Sequence, residues 1–479
     1  MDNPTFQQRL EQMTQEVREL FKLPGISVSV TVDGADYHAA AGMADMEAGV
    51  SATPQTLYAI GSVTKAFTAT LICMLAQQGK LDLDAPVRTY LPDFEMYDPY
   101  MTEHLTVRDI LCHRCGLPRY DLSMFNRPNL TTTQSWINLV RHMQPVFEPR
   151  TKFSYQNHMF MLATVLAEKL HGQKWADLVR DKIFTPLGMG SAYGDGSLAP
   201  EGPLKARPYV ESDDLLKRIP FNYHEEVSGA GTIYASTEDM LRWLRFRLEG
   251  DERLVSRALL DEMHTPQMVI KPGDRPFGFD EIDVHGYCLG WTAETYQGVK
   301  LIQHGGAIDG FKAAAMLAPK AGFAVAALAN HNSTTAATAL TYMVADAVLG
   351  LEPIDWGTRY LDLETKMKAE QKQATEASRA KAEAAGERYG DLADAVGVYS
   401  EAVYGDLALE LENGKPVLVG FGERFPMRGG AGDLFVVFSE IFGMSLEVQL
   451  SRDGAGKITG LSIPLEPMRK DPIPFIKVQ

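Results

Sequence analysis

Apolar side chains recur along residues 4–22 at helical spacing, with Phe6, Leu10, Met13, Val17 and the Leu20–Phe21 pair on one side. Gly25 stops this helix, and the ISVSVTV run that follows alternates as a strand. Asp33-Gly34 is a hairpin turn signal, so a second strand is predicted over 36–45. Helical periodicity then fills much of the middle of the chain, around 62–78, 107–112, 134–143, 157–171, 174–184 and 237–248. Strand-like segments return at 287–293, 299–303, 311–318 and 323–329, and a helix is predicted over about 333–349. This order predicts an α+β fold with one antiparallel sheet built from both ends of the segment and flanked by helices. The helical middle forms a separate all-helical lobe, and a cleft between lobe and sheet is a natural ligand site.

The pattern changes after Trp356. Residues 361–388 are rich in Ala, Glu, Lys and Gln, which predicts a helix polar on most faces, serving as a bridge. From Gly397 short alternating strands are punctuated at Gly405, Asn413-Gly414 and Asp453-Gly454. Such spacing predicts a small antiparallel barrel or sandwich of roughly 80 residues. The expected division is 1–355 for the sheet and helical lobe, 356–390 for a helical linker, and 391–479 for the barrel.

Charge narrows the partners. The chain has 62 acidic and 46 basic residues, a formal charge of −16. That balance argues against a nucleic-acid partner, which needs a basic stripe, and against docking on an anionic membrane. A small molecule or short peptide fits better. Four scattered cysteines do not make a disulfide framework, and the N-terminal segment has no apolar signal-like core. The apolar run from Ala313 to Ala329 is broken by Pro319, Lys320 and Gly322, so it reads as two strands and not a membrane span. A soluble, cytoplasmic protein is expected, with a homo-oligomer left open.

Three short motifs carry chemistry. Ser62 sits where Gly61 meets a strongly helical run, and Lys65 follows one turn later on the same face. Unpaired N–H groups at a helix start favour a developing negative charge, and a lysine held neutral can take the hydroxyl proton. Tyr155 and Asn157 lie two apart ahead of another helix, so an extended segment projects both to one side. His304-Gly305-Gly306 ends a strand, where paired glycines let a substrate approach the backbone. Taken singly, each motif also fits a plain reading: a capped helix, a buried tyrosine with a capping asparagine, a turn with a surface histidine.

In the order S-x-x-K, Y-x-N, H-G-G, the sequence resembles the serine β-lactamase and penicillin-binding-protein superfamily. It looks most like the branch of class C β-lactamases, D-aminopeptidases and related esterases. Similar runs extend over 105–118, 148–157, 182–189 and 228–243, and the likeness spans about residues 20–350. The C-terminal strands look like the small lipocalin-like barrel that some members carry. The resemblance implies that Ser62 is the nucleophile and forms an acyl-enzyme, with Lys65 and Tyr155 sharing general-base and general-acid duty. Which of the two takes the first proton stays open at this point. It further implies that Asn157 orients the substrate amide and Lys65. The backbone N–H groups of Ser62 and Ala307 would form an oxyanion hole beside His304, Gly305 and Gly306, with no metal or cofactor.

Two departures matter. Relatives that act on β-lactams or carboxypeptidase substrates usually have Lys-Thr-Gly as the third motif, and a neutral His304 is a weaker carboxylate anchor than lysine. The sequence therefore points to esters, amides or peptides, with weak or no β-lactamase activity. The second departure is Cys112-His113-Arg114-Cys115, where no second Cys or His pair lies at zinc-site distance, so the cysteines are expected to be small packed residues. His158 adjoins the second motif, and Tyr223 and His224 are candidate acyl-pocket residues. Two rival readings remain, an acyltransferase that passes the acyl group to a small acceptor and a catalytically silent scaffold.

Overall fold

The structure is a computed structural model and describes residues 3–124, 133–212, 215–221, 225–274, 279–331, 334–387, 389, 392–429, 431–439 and 443–478. Tyr223 and His224 lie outside these residues. The chain opens with helix α1 (Asn3–Leu20), followed by strands β1 (Gly25–Val32), β2 (Ala35–Asp45) and β3 (Val50–Ser51). Late in the sequence come β4 (Ile282–Tyr287), β5 (Thr292–Tyr296), β6 (Val299–Ile308), β7 (Phe311–Ala318) and β8 (Phe323–Ala329). They form one eight-stranded sheet in the order β3-β2-β1-β8-β7-β6-β5-β4. The seam between early and late chain is the antiparallel β1–β8 pair, with Ile26 opposite Ala329 and Val32 opposite Phe323. The expected antiparallel sheet built from both ends is therefore present.

β1 is buried along its whole length. Its isoleucine and valines face a core shared with Phe6, Leu10 and Val17 of α1 and with Leu340 of helix α5 (Ala336–Leu349). The intervening hydroxyls do not face water, because helix α4 (Thr237–Glu249) covers the other side. Ser29 Oγ donates to Thr237 Oγ1 at 2.9 Å, and Ser27 Oγ lies 2.9 Å from the Tyr58 hydroxyl. Each buried hydroxyl thus has a partner, as burial of polar groups requires.

The expected single strand over 287–293 is instead the end of β4, a tight turn and the start of β5. Cys288 N donates to Trp291 O at 2.7 Å across this turn, and Gly290 takes a φ of 77° that favours glycine. β6 runs farther than the apolar pattern indicates, because His304, Gly305 and Gly306 continue its pairing with β7.

Helix α2 (Thr64–Gln77) and helix α3 (Asn157–His171) pack together in the helical lobe between β3 and β4. α2 is buried from Thr64 through Leu75, so its apolar residues are not confined to one face and its Lys65 and threonines are buried with them. Helix α6 (Trp356–Ala384) follows α5 and anchors at its start, where Trp356 and Tyr360 are buried. Its remaining length is mostly exposed and leads to nine short strands between Gly397 and Lys477. Those strands form one antiparallel sheet whose two edge strands, Glu423–Pro426 and Arg428–Gly429, are consecutive in the chain. Ser439 Oγ donates to Glu423 Oε2 at 2.7 Å across the gap, so the sheet curls into a nearly closed barrel.

Candidate active site

Ser62 lies in a single 3₁₀ turn, Gly61–Val63, that runs directly into α2. Neither the turn nor α2 is capped by a side chain, so the Ser62 hydroxyl is not spent on the helix end. Lys65 Nζ lies 3.0 Å from Ser62 Oγ and donates to Ala230 O at 2.8 Å. The amine is fully buried, 5.1 Å from the centre of the Tyr155 ring and 5.5 Å from that of Phe160. Burial lowers its pKa to about 7, Asp121 opposes that fall, and Arg119 adds to it. An ammonium group in so dry a place is costly, so the amine gives up its proton far more readily than an ordinary lysine does.

The Ala230 carbonyl is aimed by the segment that contains Ser228–Gly231. Thr68 Oγ1 donates to Gly229 O at 2.7 Å, and Gly229 N donates to Thr164 Oγ1 at 3.1 Å. A side chain on Gly229 would collide with both threonines and with Trp175. This segment joins α2 to α3 and leaves one carbonyl for Lys65.

Tyr155 arrives on an extended stretch just before α3. Ser154 N donates to His113 O at 3.0 Å, Ser154 Oγ to Leu117 O at 2.6 Å and Gln156 Nε2 to Pro118 O at 3.1 Å. Gln156, not Asn157, caps α3, accepting from His158 N at 2.5 Å. Burial lifts the pKa of the phenol well above the ordinary tyrosine value, and the Ser62 hydroxyl offsets only part of that rise. Asn157 Nδ2 donates to Asp121 Oδ1 at 3.0 Å, and Asp121 is also paired with Arg119 at 2.6 Å. The Arg119 guanidinium in turn stands 5.1 Å from the Tyr155 ring centre. Asn157 therefore meets the site through Asp121, while Lys65 is held by Ser62 and Ala230.

The third motif closes the other side. His304 Nδ1 lies 2.6 Å from Gly305 O, and a carbonyl can only accept, so Nδ1 carries the proton. Nε2 then accepts from the Tyr287 hydroxyl at 2.8 Å. Burial, with the nearby Lys65 charge, lowers the His304 pKa to about 3, so the ring is neutral at pH 7. Beyond Gln303, β6 is paired only with β7, which leaves its other edge open. The Ser62 turn approaches that edge closely. A Cβ on Gly61 would lie 2.7 Å from Ala307 N, and one on Gly306 would overlap Ile60 O. Glycine is required at both points by contact, whereas a Cβ on Gly305 would meet Ala313 O at an ordinary 3.8 Å. Ser62, Lys65, Tyr155, His304, Gly305, Gly306 and Ala307 are thus brought together from the lobe and from the sheet.

Several residues at this place carry no motif of their own. His113 takes a φ of 57° and stacks 4.1 Å from the Tyr155 ring, with Tyr287 at 4.5 Å on another side. Its Nδ1 accepts from Gln156 N at 3.1 Å. Cys112 and Cys115 are buried free thiols, and burial pushes Cys115 up to about 12. Among the described residues no group of His, Cys, Asp and Glu is arranged to hold a metal ion. His158 is buried, with Nε2 at 3.0 Å from Ser123 Oγ.

With this geometry in view, the Beta-lactamase family profile matches residues 11–349. The chain belongs to the beta-lactamase family. It is 34% identical over 383 residues to the unguisins hydrolase ungD' of Aspergillus campestris, covering 77% of this chain and 70% of that one. The octameric penicillin-binding protein homologue from Pyrococcus abyssi aligns over 100% of both chains with a TM-score of 0.66 at 22% identity. D-amino acid amidase from Ochrobactrum anthropi aligns over 71% of this chain and 96% of its own, with a TM-score of 0.59 at 23% identity. At these identities the two solved structures share the family's fold with this chain. Among the described residues, no helix is long and apolar enough to cross a membrane.

Proposed function

We propose that the chain is a serine hydrolase that forms an acyl-enzyme on Ser62 and cleaves amide, peptide or ester bonds. The observation that carries this reading is the buried Lys65 amine, with a pKa near 7, lying 3.0 Å from Ser62 Oγ. Near neutral pH much of the amine is uncharged. It then donates to Ala230 O and turns its lone pair to the Ser62 hydroxyl. Tyr155, held above the ordinary tyrosine pKa, keeps its proton at that pH. These states favour Lys65 as the base that takes the Ser62 proton and Tyr155 as the acid that protonates the leaving group.

Ser62 Oγ attacks the substrate carbonyl carbon while its proton passes to Lys65. The carbonyl oxygen becomes an oxyanion facing the N–H groups of Ser62 and Ala307. Removing one such donor typically costs about 3–4 kcal/mol of barrier. The leaving amine or alcohol departs with a proton from Tyr155. Water then attacks the ester carbon and gives a proton to the Tyr155 phenolate, while the Lys65 ammonium returns its proton to the departing Ser62 Oγ, which restores all three groups. The 34% identity to a hydrolase supports the reaction class.

The neutral His304 offers no charge to a substrate carboxylate, which supports a neutral or cationic substrate and weak or no β-lactamase activity. A fluorophosphonate probe is expected to add one adduct at Ser62 by intact mass and peptide mapping, and Ser62→Ala to take none. An unmodified wild-type chain would overturn the reading. A panel of p-nitrophenyl esters and D- and L-amino-acid p-nitroanilides should show turnover well above that of a penicillin.

A further inference from the structure

The barrel touches the catalytic lobe at one unusual point. Glu466, in the segment after the strand Ile458–Ile463, is buried although it is a carboxylic acid. Its Oε1 accepts from Tyr120 N at 2.9 Å and from the Tyr404 hydroxyl at 3.0 Å. Tyr404 belongs to the barrel, whereas Tyr120 sits in the lobe between Arg119 and Asp121. Tyr120 has a φ of 53°, a conformation that costs a non-glycine residue and persists only when its surroundings hold it. The same tyrosine is gripped a second time, since Arg469 donates to its hydroxyl at 3.3 Å and to Gln144 Oε1 at 2.8 Å.

The two neighbours of Tyr120 lead straight to the site. Arg119 lies over the Tyr155 ring, and Asp121 accepts from Asn157 Nδ2. Both charges also act on Lys65.

We propose that Glu466, from the barrel, is a positioning residue of the active site, holding through the Tyr120 amide the segment that sets Arg119 and Asp121 against Tyr155 and Asn157. The inference rests on the hydrolase reading of Ser62. It makes the barrel a working part of the catalytic centre, because one buried acid spans the two and no residue near Tyr120 in sequence supplies this acceptor.

The test uses full-length chain with Glu466→Ala, Glu466→Gln, Arg119→Ala and the double Glu466→Ala/Arg119→Ala variant. Glu447→Gln is the control, an exposed barrel residue paired with Lys381 at 2.8 Å. Hydrogen exchange over 119–124 and steady-state kinetics on a p-nitrophenyl ester are read together. Glu466→Ala should exchange faster at Tyr120 and lose about tenfold to a hundredfold in kcat, with KM little changed. Glu466→Gln, which keeps an acceptor oxygen, should recover part of the loss. The double variant should be no slower than the slower single variant. Should Glu466→Ala fail to fold, Tyr404→Phe keeps the acid, removes a phenol that orients it, and should show a smaller loss of the same kind. Wild-type kcat in a folded Glu466→Ala chain, or losses that simply multiply with Arg119→Ala, would overturn the proposal. A wild-type chain that takes no fluorophosphonate overturns the hydrolase reading first, and the positioning role with it.

Discussion

At Lys65 the burial that would make an ammonium group costly supplies an amine with a pKa near 7. The reactive form is the neutral one, so it grows as pH rises through that value. The fluorophosphonate labelling rate at Ser62 should therefore climb with pH and level off above an inflection near 7. Arg119 depresses the Lys65 pKa and Asp121 raises it, so Arg119→Ala should move the inflection up and Asp121→Asn should move it down. Equal profiles in all three proteins would contradict this electrostatic arrangement. Lys65→Arg keeps a permanent charge and should abolish labelling. The S-x-x-K spacing marks Ser62 and Lys65 in the sequence. Their usable state is not legible there, because it depends on Phe160, Tyr155 and Ala230, up to 165 residues away.

Among the elements, β6 shows how a motif acts through backbone contact. Gly305 and Gly306 look equivalent in sequence, yet a Cβ on the first would make only an ordinary contact and one on the second would overlap Ile60 O. Gly306→Ala is expected to destabilise the chain by about 1–3 kcal/mol, the usual cost of overpacking, and to suppress labelling at Ser62. Gly305→Ala should melt like wild type. Thermal unfolding of the pair checks this, and equal effects would mean that the Ser62 turn does not press on the strand. The same contact explains why β6 outruns its apolar pattern, since two glycines give no hydrophobic signal. In β1 the alternation of Ser and Thr with Val and Ile resembles a strand with one wet face. Only the packing of α4 decides that both faces are dry.

At the scale of the whole molecule, the distribution of cores bears on how the chain divides. α1, α5 and the outer face of the sheet share one core, while the barrel interior continues into the packing of the helical lobe. We propose the division 1–355, 356–390 and 391–479, and a chain ending at residue 390 tests it. That chain should still unfold cooperatively by circular dichroism, because the sheet, α1 and α5 are complete without the barrel. It should also lose much of its activity, because Glu466 and Arg469 are gone. A truncated chain that does not fold would show that the barrel belongs to the same folding unit. The net charge of −16 and a buried neutral His304 act together at this scale. Neither offers an anionic substrate an anchor, so β-lactams and peptides held by a free carboxylate are expected to be poor substrates.

The sequence by itself determined the order of elements, the antiparallel sheet drawn from both ends, a small C-terminal antiparallel β unit and the three motifs. These rest on periodicity, turn residues and short spacings, which are local properties of the chain. Tertiary structure alone decided that the Lys65 pKa falls to about 7, that Asn157 turns to Asp121, that His113 packs on Tyr155, and that Glu466 reaches Tyr120 across 346 positions. The physical reason is common to all four. Desolvation, hydrogen-bond partnership and close backbone contact depend on what lies across a gap in space, and neighbours along the chain do not encode it.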